Sequence, residues 1–144
     1  MSVKVFVDTN VLVYAFDAGE PTKQAIAQAA IAEYGERGAL VLSTQVLQEF
    51  FVASTRKLAD KLPLAVAYQA VEYFGQFPLV YVDLALILAA ITRLRKTQLS
   101  FWDSLIVEAA LHAGCSTLLT EDMQHGQRLG PLSIHNPFAG ATEP

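Results

Sequence analysis

The chain has 144 residues and a mass of 15.7 kDa, the size of one domain able to bury most of the surface its unfolded form exposes. Hydrophobic residues make up 53% and charged residues 17%, which excludes a disordered or purely solvating chain and leaves an apolar surplus that a subunit interface would absorb. A net charge of −4 and an isoelectric point near 5.2 exclude general attraction to nucleic acid, so any such contact has to be built locally.

The longest apolar run, residues 84–91, falls far short of the ~20 residues needed to span a bilayer. Residues 1–4 lack the pattern of a secretory leader, and the single Cys115 has no internal disulfide partner. Together these features predict a cytoplasmic protein without a membrane span.

In chain order, residues 3–8 alternate as a short strand, closed by the turn chemistry of Asp8-Thr9-Asn10. Helical spacing resumes at Val11, Leu12 and Phe16, and a second helix runs from Pro21 to an exit at Gly38. Residues 39–43 form the second strand. Thr44 is placed to cap the next helix, on which Val46, Leu47, Phe50 and Phe51 form an apolar stripe and Glu49 lies off it. Pro63 and Gly75 bracket another helix. Residues 79–82 are a third strand, and Asp83 caps the helix after it. A further helix begins near Ser100 and ends at Gly114; residues 115–120 are a fourth strand and residues 132–135 a fifth. This alternation predicts a three-layer α/β/α domain spanning residues 1–144, with a mainly parallel central sheet of four to five strands. Ligands of such sheets bind beyond the carboxyl ends of the strands, where strand order reverses, which singles out Asp8 and Asp122.

Each acid also has a plain structural explanation. Asp8 suits a turn, Asp103 completes a capping box with Ser100, and Glu49 suits a solvated helix face. Asp83 serves as a control, since a cap accounts for it fully. Convergence is what these explanations leave out. Two carboxylates ~5 Å apart repel by about 3 kcal/mol at an effective dielectric near 20. If the four converge, something must neutralise them: protonation is one route, and an all-oxygen group without Cys or His is the environment that a hard cation such as Mg²⁺ or Mn²⁺ prefers.

Asp8-Thr9-Asn10 after the first strand, Glu49 on the helix after the second, Phe101-Trp102-Asp103-Ser104-Leu105-Ile106 opening a helix, and Thr120-Glu121-Asp122-Met123 after the fourth strand resemble the successive acidic motifs of PIN domains. The resemblance extends from residue 5 to about residue 132. It implies a PIN-like fold and a metal-dependent endoribonuclease selective for single strands, often the toxin of a VapC-like toxin–antitoxin pair. Carried over residue by residue, it implies that Asp8, Glu49, Asp103 and Asp122 bind Mg²⁺ or Mn²⁺, with Thr9, Asn10 and Thr120 supporting them. It also implies a homodimer and an antitoxin whose peptide blocks the acidic site. Glu121 falls outside the pattern.

An RNA substrate needs positive surface. Two groups offer it: Arg56, Lys57 and Lys61 beyond Glu49, and Arg93, Arg95 and Lys96 before Asp103. Both also suit helix C-termini. Phe101 and Trp102 are expected mainly in the core, and His112 is expected to pair with Glu108. Two other readings remain open. A phosphatase of haloacid-dehalogenase type expects a second Asp where this chain has Asn10. A phospho-acceptor or protein-binding module would use the same acids without turnover. A serine hydrolase finds no Gly-x-Ser-x-Gly elbow.

Overall fold

The computed structural model describes residues 3–141; Met1 and Ser2, part of the stretch read for a leader, lie outside them, as do residues 142–144. Twelve elements follow in the order β1 (Val5–Val7), α1 (Thr9–Tyr14), α2 (Pro21–Glu36), β2 (Leu40–Ser43), α3 (Thr44–Arg56), α4 (Leu64–Phe74), β3 (Leu79–Val80), α5 (Leu84–Leu94), α6 (Phe101–His112), β4 (Thr117–Leu119), β5 (Arg128–Leu129) and β6 (Leu132–His135). Among the described residues no helix is long and apolar enough to cross a membrane.

The sheet order is β3-β2-β1-β4-β6-β5, parallel throughout except for the β5–β6 hairpin. The chain steps outward from β1 through β2 to β3, then returns across β1 to place β4 on its other side. Right-handed crossovers therefore put α1 to α4 over one face and α5 with α6 over the other. Burial agrees: all three residues of β1 and all four of β2 are inaccessible, as expected of strands covered on both faces. Phe6, Leu40, Leu42, Leu118 and Leu119 form the sheet's contribution to the core. Phe50 and Phe74 from α3 and α4 meet Phe16 in an aromatic cluster with centroids 5.4–6.2 Å apart.

Local chemistry explains most element ends. Gly38 and Gly114 follow α2 and α6 with φ of 67° and 75°, and the next N–H in each case turns back onto a helix carbonyl, Ala39 to Tyr34 at 2.9 Å and Cys115 to Ala110 at 3.0 Å. Asp83 and Ser100 cap α5 and α6 as expected.

Three expectations need correction. The cap of α3 is Ser43, whose Oγ accepts the Val46 N–H; Thr44 Oγ1 instead accepts the Val82 N–H at 3.1 Å and ties down the exit of β3. The sheet has six strands rather than four to five, because β5 is a two-residue edge too short for any period to show. Phe51 is exposed, leaving Val46 and Phe50 as the buried part of the α3 stripe.

Candidate active site

Strand order reverses between β1 and β4, and there the loops leaving the two carboxyl ends part and open a crevice. Asp8, the first residue past β1, lies in its floor with 4% of its surface exposed. Its N–H continues the ladder to Leu119 O at 2.9 Å, which fixes where the side chain starts. Oδ1 accepts the Thr9 N–H and Oδ2 the Thr120 hydroxyl, each at 2.7 Å. Burial pushes the Asp8 carboxyl up to about 7; the bonds from Thr120 and Thr9 oppose this, and the negative charges of Asp122 and Glu49 add to it.

The other three acids arrive from separate segments. Asp122, beyond β4, accepts Asn10 Nδ2 at 2.9 Å on Oδ2 and donates its N–H to Thr120 Oγ1 at 3.1 Å. Glu49 projects from α3, where Oε1 accepts the Thr9 hydroxyl at 2.8 Å. Asp103 stands in the first turn of α6, with its N–H held by Ser100 Oγ at 3.1 Å. Its carboxyl is raised by burial and then by Asp122, while the Ser100 bond lowers it and Glu49 raises it again. All four line one cavity of about 780 Å³.

Thr9, Asn10 and Thr120 thus each touch the acids directly. Thr120 links Asp8 to Asp122, and Asn10 also accepts the Glu121 N–H at 3.2 Å. At the position where the phosphatase reading needs a second acid, Asn10 is committed to this scaffold.

Among the described residues, no three His, Cys, Asp or Glu side chains converge closely enough to hold an ion as they stand. The donor chemistry nevertheless fits a hard divalent cation: four carboxylates surround one cavity, and two of them are destabilised as anions partly by the others. A cation would relieve that repulsion. Thr9 and Asn10 are the groups now occupying Glu49 and Asp122.

The basic candidates separate. Lys57, the C-cap of α3, lines the cavity, whereas Arg56 does not, so the two-turn spacing from Glu49 reaches the rim one residue later than expected. Arg93 is drawn away: its Nε donates to Glu108 at 2.7 Å, clasping α5 to α6. Glu108 therefore pairs with Arg93 and not with His112. Arg95 and Lys96 are exposed at the end of α5, away from the cavity lining, and Lys61 likewise lies off it. Trp102, expected in the core, is 60% exposed on the cavity wall, because the α6 start turns Phe101 inward and its neighbour out.

Sequence reading missed Gln45, whose Nε2 donates to Trp102 O at 3.2 Å and to Glu49 Oε2 at 3.5 Å, joining α3 to α6. Its place one helical turn before Glu49 is the signal that would have found it. It also missed Lys23, which reaches Glu121 at 2.7 Å from α2. Burial pushes the Cys115 thiol up to about 11, which makes it a poor nucleophile.

A doubly wound sheet with carboxylates gathered at its switch point defines an α/β domain with an acidic site. The PIN domain family model matches residues 5–127, and the chain belongs to this family. The fold is similar to that of the Sarcin-Ricin loop cleaving toxin VapC20 of Mycobacterium tuberculosis, with a TM-score of 0.66 and 18% identity over 83% of this chain and 90% of that one. It is also similar to a chain of VapBC2 from Rickettsia felis, solved bound to a DNA fragment from its promoter, with a TM-score of 0.63 and 18% identity over 93% of this chain and 98% of that one. No curated protein sequence matches the chain.

Proposed function

We propose that this chain is a Mg²⁺- or Mn²⁺-dependent endoribonuclease and the toxin of a VapBC-type toxin–antitoxin pair. The observation that carries the reading is the meeting of Asp8, Glu49, Asp103 and Asp122, drawn from four separate segments, around one cavity at the sheet's switch point. Membership of the PIN family and a fold shared with an RNA-cleaving VapC toxin support it.

The four carboxylates are the proposed ion ligands. An ion bound there would supply positive charge for the phosphate oxygens and ionise a water for attack on phosphorus. Asp8 sits deepest, oriented from both sides by Thr9 and Thr120, so its charge is fixed in direction before any ligand arrives. Asn10 holds the carboxylate of Asp122 and Thr120 its backbone N–H at the cavity mouth. Glu49 and Asp103 face the same space from α3 and α6. Lys57 and exposed Trp102 stand on the rim, where an ammonium attracts a phosphate and an indole offers a face to an unpaired base.

The partners follow from the same reading. A VapBC complex among similar folds supports an antitoxin that covers the acidic cavity. The face of α5 carrying exposed Leu84, Leu88 and Ile91 at helical spacing, next to exposed Tyr81, supports a homodimer, and Leu88→Glu is expected to give a monomer on sedimentation. A cytoplasmic location is part of the same proposal, since that is where an RNA substrate and an antitoxin would be met.

The deciding experiment incubates labelled single-stranded RNAs and a sarcin-ricin hairpin with Mg²⁺, Mn²⁺ or chelator, wild type beside Asp8→Asn. Cleavage that needs the ion and disappears in the variant supports the reading. Cleavage that survives chelation or the substitution overturns it.

A further inference from the structure

Glu121 sits beside Asp122 and lines the same cavity, yet it takes no part in the acid group just described. A fifth carboxylate at so acidic a mouth would add repulsion, and an adjacent acid would compete with Asp122 for the same ion. Its side chain is committed to other partners. Oε2 accepts Lys23 Nζ at 2.7 Å and Oε1 accepts the Tyr14 hydroxyl at 2.8 Å, so both oxygens are occupied. Lys23 Nζ also lies 3.3 Å from the Tyr14 hydroxyl, 4.8 Å from the Tyr14 ring centre and 5.7 Å from that of buried Phe138. Tyr14 meets Phe138 edge-on at 4.9 Å. The hydrogen bond to Glu121 raises the Lys23 pKa, so the ammonium stays charged at any working pH.

The backbone of Glu121 is fixed as well, because its N–H donates to Asn10 Oδ1, and the other end of that amide holds Asp122. With the backbone and side chain of Glu121 anchored, and Asp122 held by Asn10 on its carboxylate and by Thr120 on its N–H, the turn after β4 is tied at both residues. Resting on the ribonuclease reading, we infer that Lys23 is a positioning residue: with Tyr14 it latches Glu121 and thereby holds the turn after β4 so that Asp122, and not the Lys23-bound Glu121, joins the acid group. The latch joins two consecutive helices, α1 with Tyr14 and α2 with Lys23, to Glu121 some hundred residues on, with Phe138 after β6 packed beneath.

The test compares Lys23→Met, Lys23→Arg, Lys23→Glu and the exchange Lys23→Glu with Glu121→Lys. Two readouts are needed: hydrogen exchange at the Glu121 and Asp122 amides in metal-free protein, and kcat and KM for RNA with Mn²⁺. In Lys23→Met both amides are expected to exchange at least tenfold faster, and kcat to fall about tenfold with KM within twofold, while the core amides of Phe6 and Leu118 keep their protection. Lys23→Arg is expected to stay within twofold of wild type in both readouts, and the exchanged pair to regain most of what Lys23→Glu loses. Wild-type exchange and kcat in Lys23→Met overturn the latch, as does an exchanged pair no better than Lys23→Glu. Should Lys23→Met fail to fold, recovery in the exchanged pair supports the latch and its absence overturns it. If wild type cleaves no RNA, the ribonuclease reading falls, and amide exchange alone still decides the latch.

Discussion

Asp8 and Asp83 stand at the same kind of junction, each between a parallel strand and a helix, and each uses one oxygen to cap that helix. Asp83 Oδ1 accepts the Leu86 N–H at 2.9 Å, and the residue is exposed to solvent. Asp8 accepts the Thr9 N–H at 2.7 Å but is buried, and it shares its cavity with Glu49, Asp103 and Asp122. The local sequences differ little. The contrast comes from what distant segments bring: Thr120 from just past β4, Glu49 from α3 and Asp103 from α6, against solvent at Asp83. A cap is a local property of a chain, whereas the burial of Asp8 among other acids is a property of the sheet's switch point.

The widest expected gap between the two positions is catalytic. Asp8→Asn should lower Mn²⁺-dependent RNA cleavage by roughly a thousandfold, about 4 kcal/mol of lost transition-state stabilisation, while Asp83→Ala should leave it within about twofold. Single-turnover kinetics on one labelled RNA measure both. Equal losses in the two variants would erase the distinction.

Stability should move in the opposite sense. Because burial lifts the Asp8 carboxyl to about 7 in the folded protein, above the ordinary 3.8, folded protein keeps a proton that the unfolded chain has released between those values. Metal-free wild type therefore loses stability as pH rises through this window and levels off above it. Each pKa unit is worth about 1.4 kcal/mol, so the penalty at pH 8 reaches several kcal/mol. Asp8→Asn removes it, since the Thr120 hydroxyl can turn to accept from the new amide. Urea unfolding with chelator from pH 4 to 8 should show a falling midpoint in wild type and a distinctly shallower fall in the variant, where Asp103 is still raised by burial, so that the variant becomes the more stable protein at pH 8. A flat wild-type profile would sink the buried-acid account. Asp83→Ala should cost about 1 kcal/mol at every pH, the value of a helix cap.

The smallest effects concern the basic residues. Lys57→Ala should weaken binding of a non-cleaved RNA a few-fold and reduce the slope of log affinity against log salt by about 0.7, the signature of one lost phosphate contact. Arg93→Ala should change neither, because its guanidinium is spent on Glu108, and should lower the unfolding midpoint instead. The same salt series, run on both variants, separates them.

Much of this arrangement can be read from residue order because it depends on short-range rules. Strand ends, the caps at Asp83 and Ser100 and the glycine exits after α2 and α6 each follow from a few neighbouring residues, and the switch-point rule then selects Asp8 and Asp122. What stayed hidden depends on approach between distant segments. Lys23 meets Glu121 across 98 positions and Gln45 meets Trp102 across 57, with no periodicity linking either pair. The role of Arg93 was hidden for the same reason, since a cation at a helix end looks alike whether it faces a phosphate or a Glu108. Trp102 was misplaced because a helix's first turn fixes no buried face until the opposing wall is known.

The measurement that bears most directly on the account is Mn²⁺ affinity, by calorimetry or electron paramagnetic resonance, in wild type and in Asp8→Asn, Glu49→Gln, Asp103→Asn and Asp122→Asn with the fold of each verified. If the four acids act as one centre, every substitution weakens the ion by about tenfold or more, and Asp83→Asn leaves it unchanged. Wild-type Mn²⁺ affinity in any one of the four would contradict a four-carboxylate site.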